Sequence, residues 1–210
     1  EAKHNMEALL ESEHIDLAHL HNIYHHISPS ILKSIKKRGI PIVMTLHDYH
    51  LISPNYTLYH HGEIHEEDGR RWYLSCVKNK CVKDSRAQSL LASCEMIVHH
   101  KIMKYYERYV DRFIAPSLFM RDICLRFGFK KERIIHIPHP IDVNRYNVQV
   151  NDEGHVLYAG RLSEEKGLEV LLEAAKKTPN ITYKIAGSGP MEARLKEKVR
   201  TESISNVIFL

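Results

Sequence analysis

The stretch VLYAGRLSEEKG, residues 156–167, sets an arginine just past an apolar run and a lysine–glycine pair five residues further on. Arg161 offers a planar fork of donors that fits phosphate oxygens two at a time, and Lys166 adds a compact point charge on a long stem. Two such cations in a short strand-to-helix loop suit a diphosphate; the alternative is a solvated loop in which Lys166 pairs with Glu164 or Glu165. A second loop, AGSGP (186–190), places Gly187 and Gly189 where a missing Cβ would let a ligand approach the backbone. A plain strand-to-helix turn would use the same residues. Two further polar clusters, HNIYHH and LHDYH, each follow an apolar run, and the second puts His47 and Asp48 at its end. In an open parallel sheet, ligands bind beyond the carboxyl ends of the strands, where all four clusters fall.

The elements that would carry these residues alternate. Apolar periodicity predicts a helix over 3–13, a strand over 15–20, a helix capped by Ser28 and closed by Gly39, and a strand over 40–48. Two buried strands joined through a helix make a parallel unit. Residues 49–83 break the rhythm, and a long irregular excursion inside a domain is usually functional or mobile. Its aromatics, Tyr49, Tyr56, Tyr59, Trp72 and Tyr73, could stack on sugar rings or dip into a lipid interface, but private packing of the loop is the simpler expectation. A long helix follows, with Asp84 as its cap and an apolar line of Leu90, Leu91, Cys94, Ile97, Val98 and Ile102. Strands at 111–117 and 133–138 flank a helix capped by Ser117 and closed by Gly128.

Residues 139–154 are polar, aperiodic and carry a proline, as a linker does. Beyond them the alternation restarts and predicts strands at 155–160, 180–187 and 206–210 with helices between. The organisation is therefore a first domain over 1–138, a linker over 139–154 and a second over 155–210. The chain opens as if inside a helix and stops inside a strand, which reads as part of a longer protein. The fold class is α/β with two parallel sheets, both incomplete.

Composition removes several classes. With 43% hydrophobic and 27% charged residues in a chain of 210, the protein is of ordinary globular type. No apolar run approaches a membrane span, and no signal peptide opens the chain. The net charge of +4 suits phosphate-bearing ligands or an acidic membrane surface. Its cations look scattered rather than striped, so no nucleic-acid partner is assigned. Two of the four cysteines, Cys94 and Cys124, fall in helical patterns. A disulfide framework is thus not expected, and a reducing compartment is. Cys76 and Cys81, near His65 and the acidic run 66–68, stand at the edge of zinc-type spacing, and no metal is assigned. The 16 histidines, with pairs at 25–26, 60–61 and 99–100, read chiefly as polar surface.

Taken together, VLYAGRLSEEKGLEVLLEAAKK, YKIAGSGPMEARLK and NVIFL resemble the start of the C-terminal domain of family 4 retaining glycosyltransferases. PIVMTLHDYHLISPNY and RFIAPSLFMRDICLRFGFKKERIIHIPHPID resemble that family's N-terminal, acceptor-side domain, in the family's order. HPID stands where the family often has Asn-Gly-Val-Asp. The resemblance implies the two-Rossmann GT-B fold and transfer of a sugar from a nucleotide-diphosphate donor with retained anomeric configuration. The acceptor would be a lipid, a polysaccharide or a small molecule. It implies catalytic roles for His47, Arg161 and Lys166, and donor binding by Arg161, Lys166, Gly160, Gly187 and Gly189. No metal or other cofactor is required, because two cations do what magnesium does elsewhere. The place of action would be the cytoplasm, including the inner face of the membrane. A nucleotide-phosphate-binding module that has kept the loop and lost the chemistry is the rival from another class.

The family's paired glutamates, seven residues apart, would fall beyond Leu210, and its glycine-rich N-terminal loop before Glu1. The expectation is that this chain alone turns over no sugar nucleotide. Turnover at an ordinary enzymatic rate by the purified 210-residue chain would refute it.

Overall fold

The computed structural model describes residues 1–24, 27–147 and 153–210. The histidine pair at 25–26 and residues 148–152 of the expected linker lie outside them. The chain divides into two units, Glu1–Ile141 and Asp142–Leu210.

In the first unit, α1 (Ala2–Ser12) precedes β1 (Ala18–His21), α2 (Ser30–Lys37) and β2 (Ile42–Thr45). After the excursion come β5 (Arg112–Ala115), α6 (Leu118–Arg126) and β6 (Ile134–His136). The four strands are parallel and stand in the order β1-β2-β5-β6. Right-handed crossovers between strands added in one direction put their helices on one face. The register agrees. Ile42, Met44, Phe113 and Ile134 share a face and are buried, whereas Val43, Ile114 and Ile135 on the other are only partly covered.

Local signals explain most boundaries. Ser117 caps α6 by accepting from the Met120 amide (3.1 Å), and Gly128 leaves it at φ +93°. Ser28 accepts from the Ser30 amide (3.3 Å), so α2 starts one residue beyond Pro29, and Gly39 follows it at φ +74°. Arg133 ties the end of α5 (Tyr105–Tyr109) to the start of β6, donating to the carbonyls of Glu107 (2.6 Å) and Val110.

The excursion is more ordered than its composition suggests. It holds a two-strand hairpin, β3 (Tyr59–His60) and β4 (Glu63–Ile64), and a short helix, α3 (Leu74–Asn79). Buried Asp68 binds them together, meeting His60 Nε2 at 2.6 Å and accepting from Asn79 Nδ2 at 3.2 Å. Tyr73 is buried as private packing requires, whereas Trp72 and Tyr56 are exposed.

Two expectations are corrected here. Cys76 and Cys81 form a disulfide, their Cα atoms 4.9 Å apart. Left-handed Lys80 turns the chain back at the end of α3 and brings the Cys81 amide to the Cys76 carbonyl (3.0 Å). Cys94 and Cys124 are free. Among the described residues no group of three or more His, Cys, Asp or Glu is set to hold a metal ion.

The second correction concerns α4 (Arg86–Met96), which is capped by Ser85 rather than Asp84 and continues as a π-turn over Ile97–Ile102. It buries Ser89, Ser93, Met96 and His100 and leaves Leu90, Leu91, Cys94, Val98 and Ile102 exposed. The small serines take the buried side because loop backbone meets them there: Ser89 Oγ accepts from the Val82 amide (3.0 Å), and Ser93 Oγ donates to the Tyr73 carbonyl (3.5 Å).

The second unit repeats the parallel scheme with β7 (His155–Ala159), α7 (Leu168–Lys177), β8 (Thr182–Ala186), α8 (Glu192–Thr201) and β9 (Val207–Phe209), in strand order β7-β8-β9. Its core packs Leu162, Leu168, Leu172, Tyr183, Ile185 and Leu195. No described helix in either unit is long and apolar enough to cross a membrane.

Asp111 stitches three elements of the first unit. Its carboxylate accepts from the Ile42 amide (2.8 Å) and from Lys36 Nζ (2.6 and 2.7 Å). Burial would raise this carboxyl, but Lys36, the Ile42 amide and Arg133 outweigh it and hold it below its ordinary 3.8. A carboxyl depressed by folding stabilises the fold above its unfolded pKa, and that stability is lost as pH falls through the folded value. Asp111→Asn is therefore expected to cost about 1 kcal/mol at pH 7, after discounting for the pair's partial exposure. The deficit should shrink below pH 3.8. Urea melts of both proteins from pH 7 to pH 3 check this, and an equal deficit throughout contradicts it.

Candidate functional site

In the second unit, β7 ends at Ala159 and the cationic loop starts at Gly160. The loop is built against the turn that follows β8. Gly160 N donates to the Ala186 carbonyl (3.0 Å), Leu162 N to Ser188 O (2.9 Å), and Met191 N back to Leu162 O (3.0 Å). Such pairing leaves no space for side chains. A Cβ on Gly187 would lie 2.0 Å from Gly160 O, and one on Gly189 would lie 2.4 Å from Leu162 O. Gly187 also sits at φ +142°, a region other residues seldom adopt. The close approach inferred from these glycines is thus made by the chain's own backbone.

The zipped loops fix where the cations start. Tyr158 Oη donates to the Arg161 carbonyl (2.8 Å) and folds the loop back on its own strand. Leu162 and Ser163 are buried, while Arg161 and Lys166 are exposed on either side of them. Lys166 ends a short 3-10 turn, Glu164–Lys166, and left-handed Gly167 leads into α7. Pro190 precedes α8 by two residues.

Among the described residues, neither Arg161 nor Lys166 makes a side-chain hydrogen bond or ion pair. The same holds for Lys177 and Lys184, whereas Lys176, Arg194, Lys196, Lys198 and Arg200 of this unit are ion-paired. Both loop cations act on Glu165. Burial would raise that carboxyl, but the Ser163 hydroxyl (2.5 Å), its own amide, Lys166 and Arg161 pull it below the ordinary value. The alternative, a pairing of Lys166 with Glu164 or Glu165, is not made as an ion pair, and the interaction with Glu165 is electrostatic only.

In the first unit, the carboxyl edge of the sheet gathers imidazoles. His21 ends β1, His47 lies two residues past β2, and His139 three past β6. His21 Nδ1 is 2.7 Å from His47 Nε2, and the His47 ring stacks on His139 with centroids 5.5 Å apart. His19 packs on His21 and meets Thr45 Oγ1 at 2.8 Å. Burial, then the neighbouring His19, His47 and His139, pushes the His21 pKa below 6.5, so it stays neutral at pH 7. His47 is thus held by a neutral imidazole on one nitrogen and a stacked ring on its face. Asp48 accepts from the His50 amide (3.0 Å), as expected of a residue that shapes the loop. His21 and His139 were not singled out from the sequence. HNIYHH marks the strand end without choosing a residue, and HPID stands out only as a substitution.

Two parallel α/β units, one with a cationic loop at the carboxyl end of its first strand, define a protein of the GT-B class. Residues 2–145 match the profile of Glycosyltransferase Family 4, and residues 143–210 match that of Glycosyl transferases group 1. The chain belongs to glycosyltransferase family 4. A curated relative, O-antigen chain mannosyltransferase C of Escherichia coli, is 24% identical over 134 residues, which is 55% of this chain and 35% of that one. Among solved structures, Anabaena HepE in complex with UDP superposes with a TM-score of 0.61 at 15% identity, covering 99% of this chain and 50% of that one. The lipopolysaccharide outer core galactosyltransferase WaaB, in its apo form, gives 0.54 at 16% identity, over 99% of this chain and 47% of that one. The chain spans half or less of the length of each of these relatives.

Gly187→Ala is expected to force the two loops apart and to cost about 2 kcal/mol or more, the range of backbone changes at special φ. Chemical denaturation of the second unit, followed through Tyr158 and Tyr183, checks this. An unchanged midpoint would show that the contact is dispensable.

Proposed function

We propose that the protein is a retaining glycosyltransferase that moves a sugar from a nucleotide-diphosphate donor to a lipid, polysaccharide or small acceptor. Cell-envelope polysaccharide synthesis is the setting favoured by relatives named for O-antigen and lipopolysaccharide transfer. HepE has been solved with UDP and with UDP-glucose, which supports a nucleotide-sugar donor here.

The observation that carries the reading is the pair of cations free of protein partners, Arg161 and Lys166, on a loop fixed by backbone pairing. In the reaction, the bond from the anomeric carbon to the diphosphate oxygen breaks and its electron pair leaves with the phosphate. The acceptor oxygen bonds to the same face of that carbon, and its proton passes to the departing phosphate. Negative charge grows on the leaving group as the bond breaks. Cations already in place lower the barrier most where charge develops most. Gly160, Gly187 and Gly189 serve this role by packing the two loops without side chains. His47, oriented by His21 and His139, is positioned to hydrogen-bond a sugar hydroxyl or the acceptor. Membership of the family supports a cytoplasmic place of action, and the Cys76–Cys81 disulfide argues against a reducing compartment.

Calorimetric titration with UDP, GDP and inorganic pyrophosphate tests the donor site. Arg161→Ala and Lys166→Ala are each expected to weaken binding about tenfold or more, the worth of a charge-assisted contact. Lys196→Ala, whose ammonium is paired with Glu192 at 2.7 Å, should bind as the wild type does. Unchanged affinity in both loop variants would overturn the assignment. In a protein of its relatives' full length, nucleotide binding without sugar transfer would instead favour the binding-module reading.

A further inference from the structure

Three departures from regular backbone converge on one cavity in the first unit. The first is the π-turn over Ile97–Ile102, which supplies His100 and Lys101 to the cavity lining. Such turns are rare and are found frequently at functional places. The second is the run Arg71, Trp72 and Tyr73, all at positive φ (45°, 61° and 61°). Three successive bulky residues in the left-handed region store strain, and such strain clusters where a segment has a task. Here it leaves Trp72 outside and turns Tyr73 inward as a wall of the cavity. The third is Gly69, where a Cβ would lie 2.5 Å from the Ile52 carbonyl oxygen and 2.6 Å from Phe127 Cε1. Only glycine lets the excursion close this tightly on the end of α6.

The cavity lies between the excursion, α5 and the turn that leads from α6 into β6. It holds about 150 Å3, the volume of an engineered cavity that takes up one benzene ring. Tyr73, Tyr106, Phe113, Phe127 and Phe129 make its walls aromatic. Several of these rings are already fixed by their neighbours. Phe113 meets Phe129 edge to face with centroids 5.0 Å apart, and Tyr106 stacks on buried His100 at 4.9 Å. Rings held in this way offer faces and edges to one more ring.

The charged residues of the lining are Lys101, Lys130 and Arg133 against Glu107 alone. Arg133 is committed to the protein: it donates to the Glu107 and Val110 carbonyls and lies 5.8 Å over the Phe113 ring. Glu107 is balanced by His100, whose Nδ1 is 3.9 Å from its carboxylate. Burial would raise that carboxyl, but His100, its own amide and Lys101 hold it below the ordinary value. Lys101 and Lys130 are exposed, and among the described residues neither makes a side-chain hydrogen bond or ion pair. Apolar walls with a few polar groups at the edge are the usual make-up of a small-molecule site. A ring would replace water against the walls, and a negative group on it would meet an ammonium at the surface.

We infer that this cavity binds a small, single-ring aromatic carboxylate. Tyr106, Glu107 and Arg133 stand just before β5 and β6, whereas His21, His47 and His139 lie at or past the far ends of their strands. The cavity is therefore apart from the imidazole cluster. The inference goes beyond the transferase reading and does not rest on it.

Calorimetric titration of the full chain with benzoate, benzyl alcohol and benzylamine is the test. Benzoate should bind with a Kd of about 1 mM or below, as so small a ligand allows. Benzyl alcohol should bind at least fivefold more weakly, and benzylamine, a cation at pH 7, more weakly still. Lys101→Gln with Lys130→Gln should remove the preference for benzoate over benzyl alcohol while melting as the wild type does. Ile52→Phe, which fills the cavity, should weaken both ligands alike, tenfold or more. If that variant does not fold, the lysine pair decides. No benzoate binding up to about 10 mM, ten times the expected Kd, would overturn the inference. So would equal or tighter binding of the alcohol or the amine, an unchanged preference in the lysine variant, or a folded Ile52→Phe that binds as the wild type. Displacement of benzoate by inorganic pyrophosphate would also overturn it, since the carboxylate would then sit on the loop of Arg161 and Lys166. No donor or turnover enters the assay, so its failure leaves the transferase reading untouched.

Discussion

The placement of the two loop cations rests on backbone packed directly against backbone. Gly160 and Leu162 pair with the turn after β8 through main-chain hydrogen bonds of 2.9–3.0 Å. An approach that close is open only to glycine, because a Cβ at 187 or 189 would fall inside another residue's carbonyl. The loop therefore starts from a fixed frame, and Arg161 and Lys166 need order only their own side chains. Preorganised charge stabilises a developing anion without reorganisation at the moment of reaction.

The first unit shows the same economy at its sheet edge. Parallel strands whose crossovers keep one hand deliver each strand's carboxyl end to one side. Three of those ends carry histidine: adjacent β1 and β2 pair His21 with His47, and the chain past β6 brings His139 back onto His47. The strand interiors do no chemistry; they set the spacing at which His21, His47 and His139 meet.

The excursion between β2 and β5 obeys different rules. Leu51, Ile52 and Leu58 anchor it in the first unit's core, and beyond them its order comes from buried polar contacts, His60 with Asp68 and Asn79 with Asp68, and from a disulfide. Buried polar groups must be satisfied, and the serines of α4 are satisfied by excursion backbone. That requirement turns the helix over and sends its leucines outward.

Hydrophobic alternation, caps and glycines already marked the parallel strands of both units, the Ser117 cap, the turn at Gly128 and the cationic loop of Arg161 and Lys166. Those features are legible because they rest on local periodicity and on residues whose backbone or side-chain chemistry is distinctive. Periodicity put the apolar line of α4 on one side but could not say that this side is left exposed, since it reports which residues share a side and not which side is covered. Cysteine count and spacing likewise pointed away from a Cys76–Cys81 disulfide, and spacing left His21 and His139 as two more histidines among 16. Those outcomes needed partners 26 or more residues away, such as His47 beside His21, or a chain reversal such as the one at Lys80. Only the folded backbone supplies them.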